Sequence, residues 1–426
     1  MKLWPLLLLF PVAALAQDDV WDDEDWGDDW DDEPAGVVWS GFVEAGLGFR
    51  VTDDPLIDDS GTLEELRWRI ETSHETDAFT IDLKGDLGYD GIEDDIIADV
   101  RNLTLAFSLG SNTDVRVGRQ VQTWGTGDLV FLNDLFPKDF VSFFSGRDDE
   151  YLKAPGNAVR ITHYTSLVNI DFVWTPEFEP DVYLDGERFS FFSPVAGQSI
   201  APDPPFRAIE PRSSFSNGEF ALRLFRTIEG TEYALYGYHG FFKQPNALTP
   251  SLQPTFAPLT ALGASLRRPL GKGLFNAEAS WYLSDDDRSG TNPLIPNDQF
   301  RLLAGYEWEA RPNFTVGLQY YLEWTLDHDD LLANSANPIF EPDERRHLLT
   351  NRLTWRTGRD RHTWSLFTFY SPSDRDIHLR PSYAYRHSDT WSVFAGANLF
   401  AGDEPQTFFS QLEDAGNAWL RVRFSY

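Results

Sequence analysis

The sequence has no cysteine, only one methionine and few basic residues. Without cysteine there is no disulfide framework, no thiolate metal ligand and no thiol nucleophile. Thirty-five Lys and Arg stand against 68 Asp and Glu, which gives a net charge of −33. This balance excludes the broad basic surface that binding of nucleic acid requires.

Long hydrophobic runs are also scarce, and the longest one stands at the beginning of the chain. Lys2 precedes an apolar run from Leu3 to Leu15, and the small residues Ala14 and Ala16 frame a cleavage pattern. We expect residues 1–16 to be a secretory signal peptide that directs export of the chain. The run is too short to cross a bilayer as a helix, which takes about 20 apolar residues.

Residues 17–35 form an acidic tail that also contains tryptophan. Eleven carboxylates and no basic residue lie between positions 18 and 33. A segment with this much charge and so little apolar area does not fold alone. Trp21, Trp26 and Trp30 suggest that it docks on a basic groove of a periplasmic or transporter partner. The alternative is a solvated tail that keeps the chain soluble before insertion.

Aromatic residues, in contrast, are abundant, at 15% of the chain, although the mean hydropathy is only −0.37. A high aromatic content and a low mean hydropathy occur together because apolar and polar residues alternate along the chain. In residues 79–90 one face carries Phe79, Ile81, Leu83, Gly85, Leu87 and Tyr89, and the other face is mostly charged. A period of two predicts β-strands with one face toward lipid and the other toward water.

Eighteen segments show this alternation. They span 37–50, 63–73, 78–90, 99–109, 113–124, 157–164, 167–175, 218–227, 231–243, 258–268, 273–284, 298–310, 313–326, 345–356, 362–371, 375–387, 389–400 and 416–426. The pattern is weakest at 157–164 and 258–268, so sixteen strands is the alternative.

The connections alternate between long and short. The long set lies near 51–62, 91–98, 125–156, 176–217, 244–257, 285–297, 327–344 and 401–415, and the connection near 372–374 is its only short member. Outer-membrane barrels have an even number of strands, short periplasmic turns and longer external loops. We therefore predict an all-β fold, a transmembrane antiparallel up-and-down β-barrel over residues 36–426. A soluble β-sandwich would not need this alternation.

Tryptophan gives an independent indication of the membrane. With odd strands running outward, the lipid face places Trp39, Trp308, Trp355, Trp364 and Trp391 at periplasmic ends, and Trp174, Trp281 and Trp324 at external ends. Two aromatic girdles at the interfaces are typical of these barrels. The aromatic carboxy-terminal Tyr426 resembles the signal read by the barrel-assembly machinery. The expected location is the outer membrane, with its lipid and that machinery as partners.

The charged residues expected on the inward face of the strands predict two walls of opposite charge inside the barrel. The basic wall holds Arg50, Arg67, Arg69, Arg352, Arg356, Arg380, Arg386, Arg421 and Arg423, and the acidic wall holds Glu278, Glu307, Glu309 and Glu323. Separated walls of opposite sign would set a transverse field across a water-filled pore and favour polar or anionic solutes. The alternative is that these charges pair with one another and plug the barrel.

The connection at 125–156 is unusually apolar for an external loop. Its large apolar residues are Leu129, Phe131, Leu135, Phe136, Phe140, Phe143 and Phe144. Exposed together they would form an adhesive patch. We expect the loop to fold into the lumen as a constriction that places Asp134, Lys138 and Asp139 in the solute path. A strand extension packed at the membrane edge is the alternative.

The strand before this loop carries a family resemblance. Residues 115–125 read VRVGRQVQTWG, which resembles the G-R-Q…(W/Y)-G strand of alginate-export-type barrels and of a porin-like family often found with resistance-nodulation-division-type transporters. Residues 133–140 resemble the N-P-x-D segment of the second family, with Phe136 in place of its asparagine. The resemblance implies passage of a solute. Arg119 falls on the nominal lipid face and requires a bulge or an interfacial position.

Catalytic patterns are not visible. None of the eight histidines stands in a nucleophile motif or a metal-ligand spacing. Residues 327–330 could bind a divalent cation with loop oxygens, or form a solvated loop tip. We expect no catalytic residue, metal or cofactor. The first hypothesis is a porin-like channel for a small polar, anionic or amphiphilic solute. The others are a plugged barrel acting as an interaction or assembly protein through its tail, and a membrane-embedded hydrolase.

Overall fold

The protein folds as one closed barrel of eighteen antiparallel strands in a computed structural model that describes residues 38–212 and 217–426. The strands are β1 (Val38–Arg50), β2 (Gly61–Glu75), β3 (Thr80–Asp90), β4 (Asp95–Ser108), β5 (Thr113–Val121), β6 (Pro155–His163), β7 (Asn169–Thr175), β8 (Glu219–Ile228), β9 (Thr231–Phe241), β10 (Pro258–Leu270), β11 (Gly273–Ser284), β12 (Gln299–Arg311), β13 (Phe314–Thr325), β14 (Arg345–Thr357), β15 (His362–Ser371), β16 (Asp376–Arg386), β17 (Trp391–Gly402) and β18 (Asn417–Ser425). Pairing of β1 with β18 closes the barrel and leaves no free sheet edge.

The predicted strand number is confirmed, and the two weakest segments are both strands, β6 and β10. The connection between β3 and β4 differs from the prediction. It has only residues 91–94, because the β3–β4 ladder continues as far as the pair Asp90↔Asp95. Residues 95–98, which read Asp-Ile-Ile-Ala, thus extend this hairpin beyond the predicted start of the strand. The external set therefore has two short members, this one and residues 372–375.

The outward face of the barrel is apolar. The inward face is polar or is covered by other parts of the chain. Leu47, Leu235, Leu262 and Leu318 point outward and expose about half of their side chains. Burying such residues in lipid removes them from water, so this band is the membrane-spanning surface. Exposed Trp39, Trp281, Trp355, Trp364 and Trp391 stand on the same face. The acidic tail with Trp21, Trp26 and Trp30 and the predicted cleavage site lie outside the described residues.

Helices and small hairpins occur only in the connections of the described chain. The helices are α1 (Phe140–Ser145) and α2 (His328–Asn334), with 3₁₀ turns at Asp149–Leu152, Pro338–Phe340 and Ser410–Ala415. Two hairpins pair Phe191–Ser193 with Gln198–Ile200 and Ala247–Leu248 with Pro254–Thr255. No helix in this part of the chain is long and apolar enough to cross a membrane.

Candidate functional site: the constricted lumen

Residues 122–154, here called the inward segment, leave the wall after β5 and fold into the barrel. Their polar atoms contact inward side chains of strands far apart around the circumference, among them Glu278 on β11, Arg352 on β14 and Arg423 on β18. A loop at the membrane edge could not reach all three. The segment therefore lies across the lumen.

Glu278, expected in the acidic wall, is enclosed by this segment. Its carboxylate accepts hydrogen bonds from the backbone N–H and the hydroxyl of Thr126, from the Gly127 N–H at 2.9 Å and from Asn133 Nδ2 at 2.8 Å. The residue is only 3% exposed. A buried carboxylate is tolerated when donors surround it. Glu278 consequently holds the segment against β11.

The inward segment also brings carboxylates to the basic wall. Asp128 binds Arg352 with both oxygens, at 2.6 and 2.7 Å, Asp148 lies 3.0 Å from Arg423 and 3.5 Å from Arg421, Asp149 lies 2.8 Å from Arg380, and Glu150 pairs with Arg69. Burial alone would raise the pKa of Asp148, but Arg421 and Arg423 hold it below its usual range. The arginines are therefore largely neutralised.

Other wall charges pair within the barrel itself. Glu44 binds Arg421 at 3.1 Å and Arg423 at 2.8 Å, Arg67 binds Glu65 and Asp86, and Glu323 lies 3.4 Å from Arg301. Arg50 donates to the carbonyls of Asp59, Gly61 and Arg188. Four other wall residues are exposed, and all of them lie toward the periplasmic ends of their strands: Glu307, Glu309, Arg356 and Arg386. The expected opposed walls are thus mostly compensated, because the inward segment supplies counter-charges.

Tyr151 lies at the centre of the charged side chains that join the inward segment to the barrel wall. Its hydroxyl donates to Asp86 at 2.8 Å and accepts from Arg69 at 2.5 Å. The guanidinium carbons of Arg67 and Arg101 stand 4.5 and 4.6 Å from the ring centroid. Burial raises the pKa of the Tyr151 hydroxyl, so it stays protonated as a donor. Sequence reasoning missed Tyr151 and Arg101. The charged run at residues 147–150, inside an otherwise apolar loop, could have indicated Tyr151.

The large apolar side chains of the segment pack inside the barrel rather than on its rim. Phe143 and Phe144 of α1 meet Phe369, His378 and Phe400 in edge-on contacts with ring centroids 5.6–6.2 Å apart. The remaining five residues also pack against buried clusters: Leu129, Phe131, Leu135, Phe136 and Phe140. Burial of this area favours the folded-in position.

The three polar residues expected in the solute path lie elsewhere. Asp134 and Lys138 are both buried, with Lys138 Nζ 3.0 Å from Asp134 Oδ1 and 2.6 Å from the Phe136 carbonyl. Asp139 caps α1, because its carboxylate accepts the N–H of Ser142 at 2.7 Å. These side chains fix the shape of the segment and are not directed into open water.

A cavity of about 200 Å³, here called the lumen cavity, lies on the periplasmic side of the segment. Its charged lining consists of Arg147, Arg352, Arg380 and Arg421 with Asp148 and Asp149, which is four bases against two acids. Its aromatic lining includes Phe367, Tyr383, Phe394 and Trp419. Several guanidinium groups stack on rings, for example Arg352 at 4.7 Å from the centroid of Phe367. Such a surface suits an anion that also has an apolar part.

Arg119 lies near the end of β5, where polar groups satisfy its outward-pointing side chain. Its Nε donates to the Val100 carbonyl at 2.8 Å, and its guanidinium lies 3.0 Å from Glu179 in the following external loop. The nearby irregularity is in β4, where the ladder with β3 skips Arg101. Within the two described ranges, no group of three or more His, Asp or Glu side chains is arranged to hold a metal ion.

Comparison with solved structures supports the same architecture. The chain is similar to a BenF-like porin from Pseudomonas fluorescens Pf-5, with 12% identity, coverage of 92% of this chain and 99% of that chain and a TM-score of 0.54. It is similar to Acinetobacter baumannii OccAB3 at 13% identity, 92% and 99% coverage and a TM-score of 0.52. Pseudomonas aeruginosa OccK2 (OpdF), solved in complex with glucuronate, matches at 10% identity, 92% and 97% coverage and 0.54.

At these identities the likeness establishes the fold, a large antiparallel outer-membrane-type barrel. No protein-family model matches the chain, and no curated protein matches it.

Proposed function

We propose that this protein is an outer-membrane channel for a small polar, anionic or amphiphilic solute, narrowed by the inward segment. The observation that carries the proposal is the lumen cavity, where four arginines and two carboxylates share a lining with aromatic rings. A charged lining inside a barrel sets which ions and solutes enter it. Partly exposed Arg352 offers a donor edge there, with 27% of its side chain accessible.

The compared proteins support a solute of this class. One is called a porin, and another was solved with glucuronate, a carboxylated sugar. The G-R-Q…W-G strand at residues 115–125 further associates the chain with alginate-export-type barrels and with the porin-like family found beside resistance-nodulation-division-type transporters. The barrel would pass its solute without a chemical reaction.

We extend the proposal to the export of the chain, its assembly and the partner of its tail. Residues 1–16 would direct export, and Tyr426 would be read by the barrel-assembly machinery. The acidic tail at 17–35 would engage a periplasmic or transporter partner through Trp21, Trp26 and Trp30. Deletion of residues 18–33 tests this last role: transport in cells should fall while the conductance of the purified channel stays unchanged. Equal transport by both forms would remove the tail from the proposal.

Single-channel recording in planar bilayers tests the channel itself. The full-length protein should conduct KCl, and under a salt gradient the reversal potential should show a preference for anions. Arg352→Gln should reduce that preference, whereas Arg359→Gln at a periplasmic turn is the matched control. A barrel that inserts but passes no current would instead favour the plugged interaction protein, for which the filled lumen is the supporting observation.

A further inference from the structure

One stretch of the barrel wall, between β16 and β17, lacks part of its ladder. The ladder of these two fully described strands runs to Leu379↔Leu399 and resumes in the same register at Ser382↔Gly396, passing over Arg380 and Pro381. Proline has no N–H to donate, and it is rare inside a strand that has neighbours on both sides. The other prolines of the described strands, Pro155, Pro258 and Pro269, lie at strand ends.

The residues of β17 opposite Pro381 and Ser382 are small on both faces of the wall. Ser365 and Ser382 face each other on the inner side, and Ser382 is paired with Gly396 on β17. On the outer side Ala395 and Ala397 stand beside Pro381. The wall is therefore thin where its hydrogen bonding is interrupted.

Cavities lie on both sides of the same wall stretch. Outside is an apolar groove of about 450 Å³, here called the lipid-side groove, between Phe314, Trp355, Trp364 and Tyr383. Inside is the arginine-lined lumen cavity. Five residues line both: Ser365, Pro381, Ser382, Tyr383 and Ala397. A single layer, in which Tyr383 is the one large residue of these five, separates the arginine-lined lumen cavity from an apolar groove.

Trp419 covers the inner side of this layer. A Cβ built on Gly396 would lie 2.4 Å from its Cζ2 atom, so only glycine lets the indole lie against the wall there. On its other side the indole meets Gly146, at the end of α1, where a Cβ would lie 2.1 Å from Cδ1. The indole is held between the inward segment and the wall. A shift of the inward segment would therefore free it.

We propose that the β16–β17 wall at Pro381 is a lateral portal for an amphiphilic anion. The anionic head binds in the lumen cavity beside Arg380 and Arg421, and the alkyl chain passes over Pro381 into the lipid-side groove. The inference deepens the proposed function, on which it rests, by naming the solute class. Charge complementarity inside and apolar area outside select one molecule with both parts, rather than a sugar acid or a neutral lipid.

Photolabelling tests whether one molecule spans the wall. The full-length protein in nanodiscs is irradiated with dodecanesulfonate that carries a diazirine at the end of its chain. Trp364 and Trp281 face lipid with nearly equal exposure, 48% and 49%, so Trp281 reports the background from probe dissolved in the bilayer. Labelling of Trp364 should exceed that of Trp281 severalfold, because a head bound in the lumen cavity holds the chain end in the lipid-side groove.

A lumen substitution supplies the decisive comparison. Arg380→Gln should lower the labelling of Trp364 to the Trp281 level, and Arg380→Lys should retain it. A change inside the barrel alters labelling on the lipid side only if the bound molecule reaches both. If Arg380→Gln leaves the labelling of Trp364 unchanged, lipid chains alone fill the groove. That result would overturn the portal.

A reversible staple tests the path itself. The chain has no cysteine, so Pro381→Cys with Ala397→Cys gives one disulfide across the gap, and opposed positions on neighbouring strands suit that bond. Oxidation should reduce the labelling of Trp364 to background, and a reductant should restore it. The control pair, Ile377→Cys with Ala401→Cys, lies where the ladder is intact and should have no effect.

Equal labelling in the oxidised and reduced protein would also overturn the portal. Labelling needs no current, so its result is independent of the channel. A wild-type barrel that passes no KCl would contradict the proposed function alone.

Discussion

Asp128 of the inward segment and Arg352 of β14 bind each other through two parallel hydrogen bonds of 2.6 and 2.7 Å. The pair joins residues 224 positions apart in the sequence and ties the segment to the wall that carries the lumen cavity. Bidentate pairs of this kind fix geometry as well as charge. Because 27% of the Arg352 and 42% of the Asp128 side chain are exposed, solvent weakens the pair.

Asp128→Asn should increase the preference of the channel for anions. The substitution removes the carboxylate but keeps the size of the side chain, so Arg352 remains in place with its charge uncompensated. The reversal potential under a KCl gradient measures the change. Asp360→Asn, at an exposed periplasmic turn, is the control and should leave the reversal potential unchanged. An unaltered value in a conducting Asp128→Asn channel would remove Arg352 from the conducting path.

Glu278→Gln should loosen the inward segment. The carboxylate accepts from four donors, and a glutamine amide would direct its own N–H₂ toward some of them. Leaving buried donors without an acceptor costs about 1–3 kcal/mol. We expect larger current fluctuations and a lower thermal midpoint. Glu307→Gln, at an exposed position on the next strand, is the control and should change neither the current fluctuations nor the thermal midpoint. A Glu278→Gln channel with wild-type fluctuations and a wild-type thermal midpoint would show that Glu278 does not hold the inward segment.

The fold could be predicted from the sequence because lipid and water impose a period of two on every strand. Even β6 and β10, the weakest segments, kept this period. The folded-in position of the apolar loop was also foreseeable, as one of two options. The pairing inside the lumen was not, because Arg423 and Asp148 are 275 residues apart and nothing local joins them. Asp134 and Lys138 are only four residues apart, but their burial depends on contacts with distant parts of the chain, such as Asp181, and so it could not be recognised either.

Substitutions at two neighbouring positions of β13 distinguish its faces. Leu318 is 48% exposed toward lipid, whereas Gln319 faces inward and its side chain hydrogen-bonds both the N–H and the carbonyl of Asp128. Leu318→Arg should cost about 2–4 kcal/mol near the midplane and hinder insertion. Gln319→Arg should insert normally but alter conductance. Heat-modifiable migration after refolding measures insertion, and equal yields would mean that the register is displaced by one residue.

Asp181 should make the external contact of the inward segment sensitive to pH. Burial raises the pKa of this carboxyl to about 6, although it accepts the Lys138 N–H at 2.7 Å. A raised carboxyl pKa means that the folded state binds the proton more tightly. The stabilisation is therefore present below the ordinary pKa of 3.8 and is lost as the pH rises through about 6. The amount is about 3 kcal/mol, because each unit between a pKa of 3.8 and a pKa of about 6 corresponds to about 1.4 kcal/mol.

Hydrogen exchange of the Val182 amide, which donates to the Lys138 carbonyl at 2.8 Å and not to the titrating carboxyl, measures this loss. After correction for the intrinsic rate, its protection should fall between about pH 4 and about pH 7, the interval set by the two pKa values. The Asp181→Asn variant should show little change over the same interval. Protection of the Val182 amide that is independent of pH in the wild type would show that Asp181 titrates normally.

Deletion of residues 128–146, with a short Gly-Ser bridge, should raise the single-channel conductance severalfold while the barrel still inserts. The deletion removes Asp128 from Arg352 and withdraws Phe143 and Phe144 from the lumen. The strand ladders, including the β1–β18 closure, do not involve these residues, so the wall should form without them. A deletion of 195–197, in an exposed external hairpin, is the control for loop shortening as such. Conductance that stays at the wild-type level in an inserted barrel would mean that solute passes beside the segment rather than through the space it occupies.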